Sequence, residues 1–208
     1  MEDNNTEQQT EIVNPFPSFI YKTQLDIDVE KICAKVKTMT AENEDWRLWL
    51  SHFTHPNLAE YDKEFADIAD MIRIEADKFY SWSKNLNKTV SIMQTKRMWF
   101  NIYRNGGHMR PHDHYECYYG SSLYLQNNEE NCDIVFTHPS QIKFNTTHVE
   151  RPKPGTLLIW PGWMLHEVPP NPTNEERILL SAKIDYKVNH FGLDNRRIDE
   201  DLLENVRL

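Results

Sequence analysis

The chain has 208 residues, which favours a single domain with its own hydrophobic core. Its net charge of −9 argues against general nucleic-acid binding, and it has no apolar run near the roughly 20 residues that cross a membrane. The first residues are acidic and polar, unlike a signal peptide, and three cysteines (Cys33, Cys117 and Cys132) without a CxxC pair indicate free thiols. We therefore expect a cytoplasmic protein that binds neither nucleic acid nor membranes.

The N-terminal part of the chain predicts a tail, an edge strand and two helices. Residues 1–14 are polar and without periodicity, so we expect a disordered tail. "FPSFIYKTQL" (16–25) predicts a short strand whose prolines suit a sheet edge. Apolar residues at helical spacing predict a helix over 28–41 and a second that begins near Asn57, which has capping-box spacing with Glu60. We expect residues 26–90 to form a helical support for a larger element.

After residue 90 the sequence predicts short strands rich in β-branched and aromatic residues. The predicted strands are 95–104, 109–115, 120–126, 132–137, 142–145, 155–160, 164–168 and 177–186. Strands of this length and spacing are typical of an antiparallel sandwich or jelly roll. The fold class is therefore mainly β with flanking helices.

The domain organisation follows from these elements. We expect residues 15–208 to form one domain, with a jelly-roll core over 91–187 and a C-terminal extension over 188–208. This charged extension has apolar residues at roughly helical spacing. We expect it to cap the domain, and docking onto the partner chain of a homodimer is the alternative.

The stretch "GHMRPHDHYECYYG" (107–120) concentrates side chains that bind metals. On a strand, His112 and His114 project from the same face and Asp113 projects from the other. A second segment, "PGTLLIWPGWMLHEV" (154–168), places His166 after a strand and a Pro-Gly turn. Strands this far apart in sequence become neighbours in a jelly roll. The third imidazole can therefore complete a facial set of ligands.

Arg177 opens the otherwise apolar strand "RILLSAKI", eleven residues after His166. A buried guanidinium is costly without an anionic partner, and a bound carboxylate would satisfy it. Three ligands on one side of a metal, with open positions and an inward arginine, are typical of a non-haem Fe(II) oxygenase site.

The stretch from Trp99 to about Tyr186 resembles the Fe(II)- and 2-oxoglutarate-dependent dioxygenases. The matching segments are "WFNIYRNGG", "PHDH", "SSLYLQ", "PGTLLIWPGWMLHEV" and "RILLS". It is most similar to the prolyl-hydroxylase-type branch and to a group of uncharacterised bacterial and phage members. The resemblance implies a double-stranded β-helix that uses Fe(II), 2-oxoglutarate and O2. The implied reaction hydroxylates an unknown substrate, either a protein (prolyl) side chain or a small molecule, while 2-oxoglutarate is decarboxylated to succinate.

The resemblance also implies roles for individual residues. His112 and His166 match metal ligands of the family, and Arg177 matches the basic residue that binds the far carboxylate of 2-oxoglutarate. Tyr124 matches a tyrosine that assists this arginine, and Tyr103 matches one that contacts the cosubstrate. Two further residues are candidates for contact with the cosubstrate. Asn101 shares a strand face with Tyr103, and Ser181 shares one with Arg177.

The chain departs from the family pattern at position 114, where a histidine replaces the expected carboxylate. The favoured ligand set is His112, His114 and His166. A register shifted by two residues would instead use His114, Glu116 and His166. In a third interpretation the site is degraded or binds another metal.

Two other functions compete with the oxygenase. A cupin-type metal-binding jelly roll shares the His112-x-His114 pair, but it lacks the expected glutamate beyond that pair and gives Arg177 no role. An inactive relative that serves as an interaction protein is the other alternative. Tyr115 and Trp163, which flank the ligands in sequence, are candidates for substrate contact.

Overall fold

A computed structural model describes residues 18–42, 57–131, 133–137 and 147–187, which form three helices and nine strands. In chain order the elements are β1 (Tyr21–Gln24), α1 (Val29–Glu42), α2 (Leu58–Tyr61), α3 (Lys63–Ser83), β2 (Met93–Tyr103), β3 (Met109–His112), β4 (Tyr119–Gln126), β5 (Ile134–Thr137), β6 (Thr147–Glu150), β7 (Thr156–Pro161), β8 (Leu165–Val168) and β9 (Arg177–Tyr186). Within these ranges, no helix has the length and apolar character that a bilayer crossing requires.

The strands form two antiparallel sheets. One sheet has the order β1-β7-β4-β9-β2, and the other has the order β3-β8-β5-β6. Except for β5 and β6, neighbours in the sheets are distant in sequence, as in β4 paired with both β7 and β9. This arrangement confirms the predicted mainly β fold of jelly-roll type with N-terminal helices.

Strand β9 shows how alternation divides the interior into two layers. Ile178, Leu180 and Ile184 belong to the apolar cluster that also contains the buried faces of α1 and α3. Leu179, Ser181 and Lys183 face a cavity on the other side of the sheet. The helices therefore cover one face of the five-stranded sheet, and the other face is available to form a site.

The predicted second helix is two helices, because Asp62 interrupts it. Asp62 adopts an extended conformation, and its carboxylate accepts hydrogen bonds from the backbone N–H groups of Glu64 and Phe65 at the start of α3. The predicted cap at Asn57 is confirmed, since its side chain accepts from Ala59 and donates to Glu60.

Two strand predictions need correction. β3 ends at His112 rather than at residue 115, because the chain turns there. β6 was not predicted, since its four residues are mostly exposed and lack an alternating pattern. The predicted strand 142–145, the tail 1–14 and the extension 188–208 lie outside the described residues.

Candidate metal centre and adjoining cavity

Three histidines from two segments of the chain, His112 and His114 in one and His166 in the other, meet between the two sheets. The ligand nitrogens of His112, His114 and His166 all lie within 4.8 Å of one another. The ring centroids of His112 and His166 are 4.3 Å apart, and the other two pairs are each 5.1 Å apart. The described part of the chain shows no second group of this kind.

Strand pairing and two backbone carbonyls orient His112 and His166. They are register partners in the antiparallel pair of β3 and β8. Nδ1 of His112 lies 2.8 Å from the carbonyl oxygen of Arg110, and Nδ1 of His166 lies 3.0 Å from that of Met164. A carbonyl only accepts, so each Nδ1 carries the hydrogen and each Nε2 keeps a lone pair for a metal.

His114 reaches the group by a route that strand alternation did not predict. It lies beyond the end of β3, and its backbone N–H donates to the carbonyl of Gly162 at 2.7 Å. Its own carbonyl accepts from the N–H of Cys117 at 2.9 Å. The turn between β7 and β8 therefore positions His114. Asp113, predicted to point away, instead lines the cavity and accepts from the N–H of Tyr115.

Gly120 and Trp160 form the wall behind His114. A β-carbon on Gly120 would lie 2.8 Å from Cδ2 of His114 and 3.0 Å from Nε1 of Trp160. The indole of Trp160 also packs against His166, with ring centroids 4.8 Å apart. The absence of a side chain at position 120 thus allows the imidazole to approach the strand.

Burial keeps two of the histidines neutral. Desolvation, reinforced by the neighbouring His112, lowers the pKa of His166 to about 3 and that of His114 to about 4. A neutral imidazole is the form that binds a metal. At neutral pH these two side chains therefore offer lone pairs without competition from protons.

Glu116 lies outside this group. Its carboxylate forms an ion pair with Lys183 of β9. The structure brings His112, and not Glu116, to the other two histidines. The geometry thus favours the first of the predicted ligand sets over the shifted register.

A cavity of about 280 Å³ adjoins the histidines and contains most of the predicted cosubstrate residues. The predicted residues that line it are Asn101, Tyr103, Tyr124 and Ser181. Sequence reasoning missed Ser122 and Lys183, which also line it. The alternation that starts at Arg177 could have indicated Lys183, since both residues lie on the same face of β9.

The floor of the cavity is polar. Nδ2 of Asn101 donates to Oγ of Ser181 at 2.8 Å, and Oγ of Ser122 lies 3.5 Å from the same oxygen. Among the described residues, Oδ1 of Asn101 and Nε1 of Trp160 are buried without a hydrogen-bond partner. An unsatisfied buried polar atom is costly, so the cavity is suited to a polar ligand.

Arg177 lies next to the cavity rather than on its surface. Its side chain is buried, and its Nη1 donates to the carbonyl oxygens of Asn131 and Asp133 at 2.7 and 3.0 Å. Its guanidinium carbon is 4.6 Å from the ring centroid of Tyr103, which does line the cavity. Burial raises the pKa of Tyr103 to about 12, although the positive charge of Arg177 acts to lower it. The hydroxyl of Tyr103 therefore stays protonated and can donate a hydrogen bond.

The predicted substrate contacts Tyr115 and Trp163 are surface residues. Tyr115 is 84% exposed and Trp163 is 47% exposed. Neither lines the cavity in the described part of the chain.

Residues 97–183 match the profile of the family described as "Putative 2OG-Fe(II) oxygenase". No protein of curated function matches the chain significantly by sequence.

Three solved structures show what the fold is similar to. HygX from Streptomyces hygroscopicus, with nickel and 2-oxoglutarate bound, aligns with a TM-score of 0.59 at 10% identity, over 81% of this chain and 83% of its own. The epimerase SnoN from nogalamycin biosynthesis, described as non-heme and alpha ketoglutarate dependent, aligns with a TM-score of 0.57 at 12% identity, over 83% and 80%. A Pseudomonas putida prolyl-4-hydroxylase aligns with a TM-score of 0.54 at 15% identity, over 81% and 88%. At such low identities these alignments show a shared fold.

Proposed function

We propose that the protein is an Fe(II)- and 2-oxoglutarate-dependent dioxygenase, because residues 97–183 match the family of putative 2OG-Fe(II) oxygenases. The observation that carries the proposal is the group of three histidines beside a polar cavity of about 280 Å³. The family match and the geometry of the site thus support the same activity.

The residues present fit this cofactor and cosubstrate. Imidazole nitrogens suit iron as ligands. One nitrogen each from His112, His114 and His166 would leave the other coordination positions of the metal open. The buried, unpartnered N–H of Trp160 gives the cavity a donor for an oxygen-rich ligand. When bound, the iron with 2-oxoglutarate and O2 supplies the oxidation that converts a C–H bond of the substrate to C–OH and yields succinate and CO2.

The protein's own contribution is orientation and hydrogen bonding. The carbonyls of Arg110 and Met164 hold two imidazoles with Nε2 available for the iron. We assign the far carboxylate of 2-oxoglutarate to the end of the cavity at Tyr103, whose protonated hydroxyl can donate and whose ring packs on Arg177. Arg177 provides a fixed positive charge there, because backbone carbonyls hold its guanidinium in place.

We also assign cosubstrate contacts to four other residues of the cavity: Asn101, Ser122, Tyr124 and Ser181. Their side chains line the cavity, and Ser181 links Asn101 to Ser122 through hydroxyl contacts. Rotation of the Asn101 amide by 180° would turn Nδ2 toward the cavity and provide a donor for a carboxylate oxygen.

The primary substrate of the protein is a protein side chain or a small metabolite. A prolyl side chain of a protein is the first substrate to assay, and a small metabolite is the second. The first choice is supported by the similarity of the fold to a prolyl-4-hydroxylase. We further propose that residues 15–208 form one cytoplasmic domain.

The experiment is an anaerobic titration of the purified protein with Fe(II) and 2-oxoglutarate. We expect a visible metal-to-ligand charge-transfer band that is absent with either component alone. His166→Ala should abolish the band, and Glu116→Gln should retain it. No band in the wild-type protein, together with no thermal stabilisation by 2-oxoglutarate, would contradict the proposal. Absence of both the band and the stabilisation is the result expected of a cupin-type metal-binding protein without 2-oxoglutarate chemistry.

A further inference from the structure

Lys183 lines the same cavity as the three histidines, whereas Arg177, on the same strand, does not line it. In the sheet register Lys183 is the partner of Gly120 on one side and of Arg97 on the other. Gly120 is the residue against which the His114 imidazole packs. Lys183 is six positions from Arg177 on the same strand, a separation of about 20 Å in an extended chain. The two cations therefore mark two different places.

The ammonium group of Lys183 is held in a partly buried, basic environment. Its side chain is only 13% exposed, and it lines the cavity with the three histidines. Burial, followed by the neighbouring charge of Arg97, lowers its pKa. Lys183 lines the cavity and Arg97 is its register neighbour, and two neighbouring cations create a site that favours an anion.

Glu116 now supplies that anion. It follows His114 by two residues, in the turn after β3, and its side chain is 46% exposed. The cation is fixed on a central strand, whereas the carboxylate extends from a solvent-exposed turn. An ion pair with one exposed partner is weak, so a carboxylate from a ligand can replace it.

We propose that Lys183, with Arg97 beside it, binds a carboxylate of the primary substrate, and that Glu116 occupies this position until the substrate displaces it. The internal carboxylate indicates the ligand class, because the same cation already accommodates this group. The inference rests on the proposed function, in which 2-oxoglutarate uses the end of the cavity at Tyr103 and Arg177. A carboxylate bound at Lys183 would place the rest of the substrate next to His114 and the metal.

The experiment compares benzoate with benzamide, which has nearly the same shape but no charge. The protein is loaded with Zn(II) and saturating 2-oxoglutarate, so that the cosubstrate position is filled and no turnover occurs. Dissociation constants are measured by saturation-transfer NMR of the two probes. We expect benzoate to bind the wild-type protein at least fivefold more tightly than benzamide.

The variants test the two halves of the proposal separately. Lys183→Met should remove the preference for benzoate, and Lys183→Arg should retain it. Glu116→Gln should increase the affinity for benzoate at least threefold and leave that for benzamide unchanged, because it removes the competing carboxylate. The matched controls are Lys63→Met and Asp67→Asn, which break an exposed ion pair on α3 far from the cavity and should change nothing.

Equal binding of the two probes by the wild-type protein would overturn the inference. So would a Glu116→Gln protein that binds benzoate no better than the wild type, and this variant does not depend on whether Lys183→Met folds. The charge-transfer band, measured on the same preparation, reports on the proposed function independently. A band without a benzoate preference would refute only the Lys183 site, and a Lys183-dependent preference without the band would refute only the oxygenase.

Discussion

Each of His112 and His166 is oriented by the carbonyl of the residue two positions before it. These contacts leave Nε2 of both rings with a free lone pair, and the Gly162 carbonyl fixes the backbone of His114 alongside them. The metal site is therefore preorganised by main-chain atoms, which do not change when neighbouring side chains are substituted.

At this scale, the ligand set can be tested by metal affinity. Alanine in place of His112, His114 or His166 should weaken Co(II) binding by more than the roughly 10–100-fold that loss of an outer partner costs. Anaerobic titration monitored by the visible Co(II) spectrum measures this. Glu116→Gln should bind Co(II) as the wild type does. If Glu116→Gln loses the metal and His112→Ala keeps it, the shifted ligand set is correct.

Gly120 allows a second test at the residue scale. In Gly120→Ala the new β-carbon would overlap the His114 ring, which must move because strand β4 is held on both sides. We expect a loss of about tenfold in Co(II) affinity, with the melting temperature changed by only a few degrees. Unchanged metal affinity would show that His114 has room to adjust.

Among the elements, α3 contacts the start of β2 through a buried carboxylate. Asp77 is 2% exposed, and its Oδ1 accepts from the backbone N–H groups of Ile92 and Met93, which lead into β2. Its Oδ2 accepts from Nη1 of Arg73, whose Nε donates to Asp70. This contact fixes the helix against the strand that carries Asn101 and Tyr103.

Asp77→Ala should lower the free energy of unfolding by about 3 kcal/mol, because it leaves the buried N–H of Met93 and the partly buried N–H of Ile92 without their acceptor and removes the buried partner of Arg73. Urea denaturation measures the change. The control is Asp70→Ala, which removes the exposed partner of the same arginine and should cost less than about 1 kcal/mol. Equal losses would show that the backbone contacts of Asp77 contribute little.

The carboxylate of Asp62, at the start of α3, should make the stability of the protein depend on pH. Burial would raise the pKa of Asp62, but hydrogen bonds from Lys35 and from the backbone of Phe65 lower it below its ordinary value of 3.8. The unfolded chain therefore takes up a proton first as the pH falls. The stabilisation by the carboxylate is complete above the unfolded-state pKa and is lost as the pH falls through the lowered folded-state pKa.

In the corresponding experiment, urea denaturation of the wild type and of Asp62→Asn is compared between about pH 6 and pH 3. The difference in stability should be largest near pH 6 and should shrink toward pH 3. Asp62→Ala should lose about 1 kcal/mol more than Asp62→Asn at every pH, because it also removes the helix cap. A difference that does not depend on pH would contradict a charge-based role.

The elements that follow from local pattern were the ones that the sequence predicted well. β9 was predicted with its exact bounds, 177–186, because a mainly apolar run follows a segment of turn residues. His114 and β6 depend instead on contacts between segments far apart in sequence, such as the hydrogen bond from His114 to Gly162. The hydrogen-bond partners of Arg177 could not be predicted from local pattern either, because they are main-chain carbonyls, which every residue has.

On the scale of the whole molecule, binding at the site should stabilise the fold, because an unfolded chain cannot assemble three ligands from two segments. A metal at 100 times its dissociation constant contributes about 2.7 kcal/mol, or roughly 5–10 °C in melting temperature for a protein of this size. Thermal unfolding with and without Zn(II) measures the shift. His166→Ala should show none, and a shift of equal size in that variant would place the metal elsewhere.

The two faces of β9 have a consequence for directed evolution. The residues that face the helices, Ile178, Leu180, Ala182 and Ile184, belong to the main apolar cluster, whereas Leu179, Ser181 and Lys183 line the cavity. Because Leu179 is itself packed in a buried apolar cluster, randomising only Ser181 and Lys183 would alter ligand selectivity while leaving the apolar packing intact. A single strand thus offers a compact library in which a change of specificity is largely uncoupled from the loss of foldability.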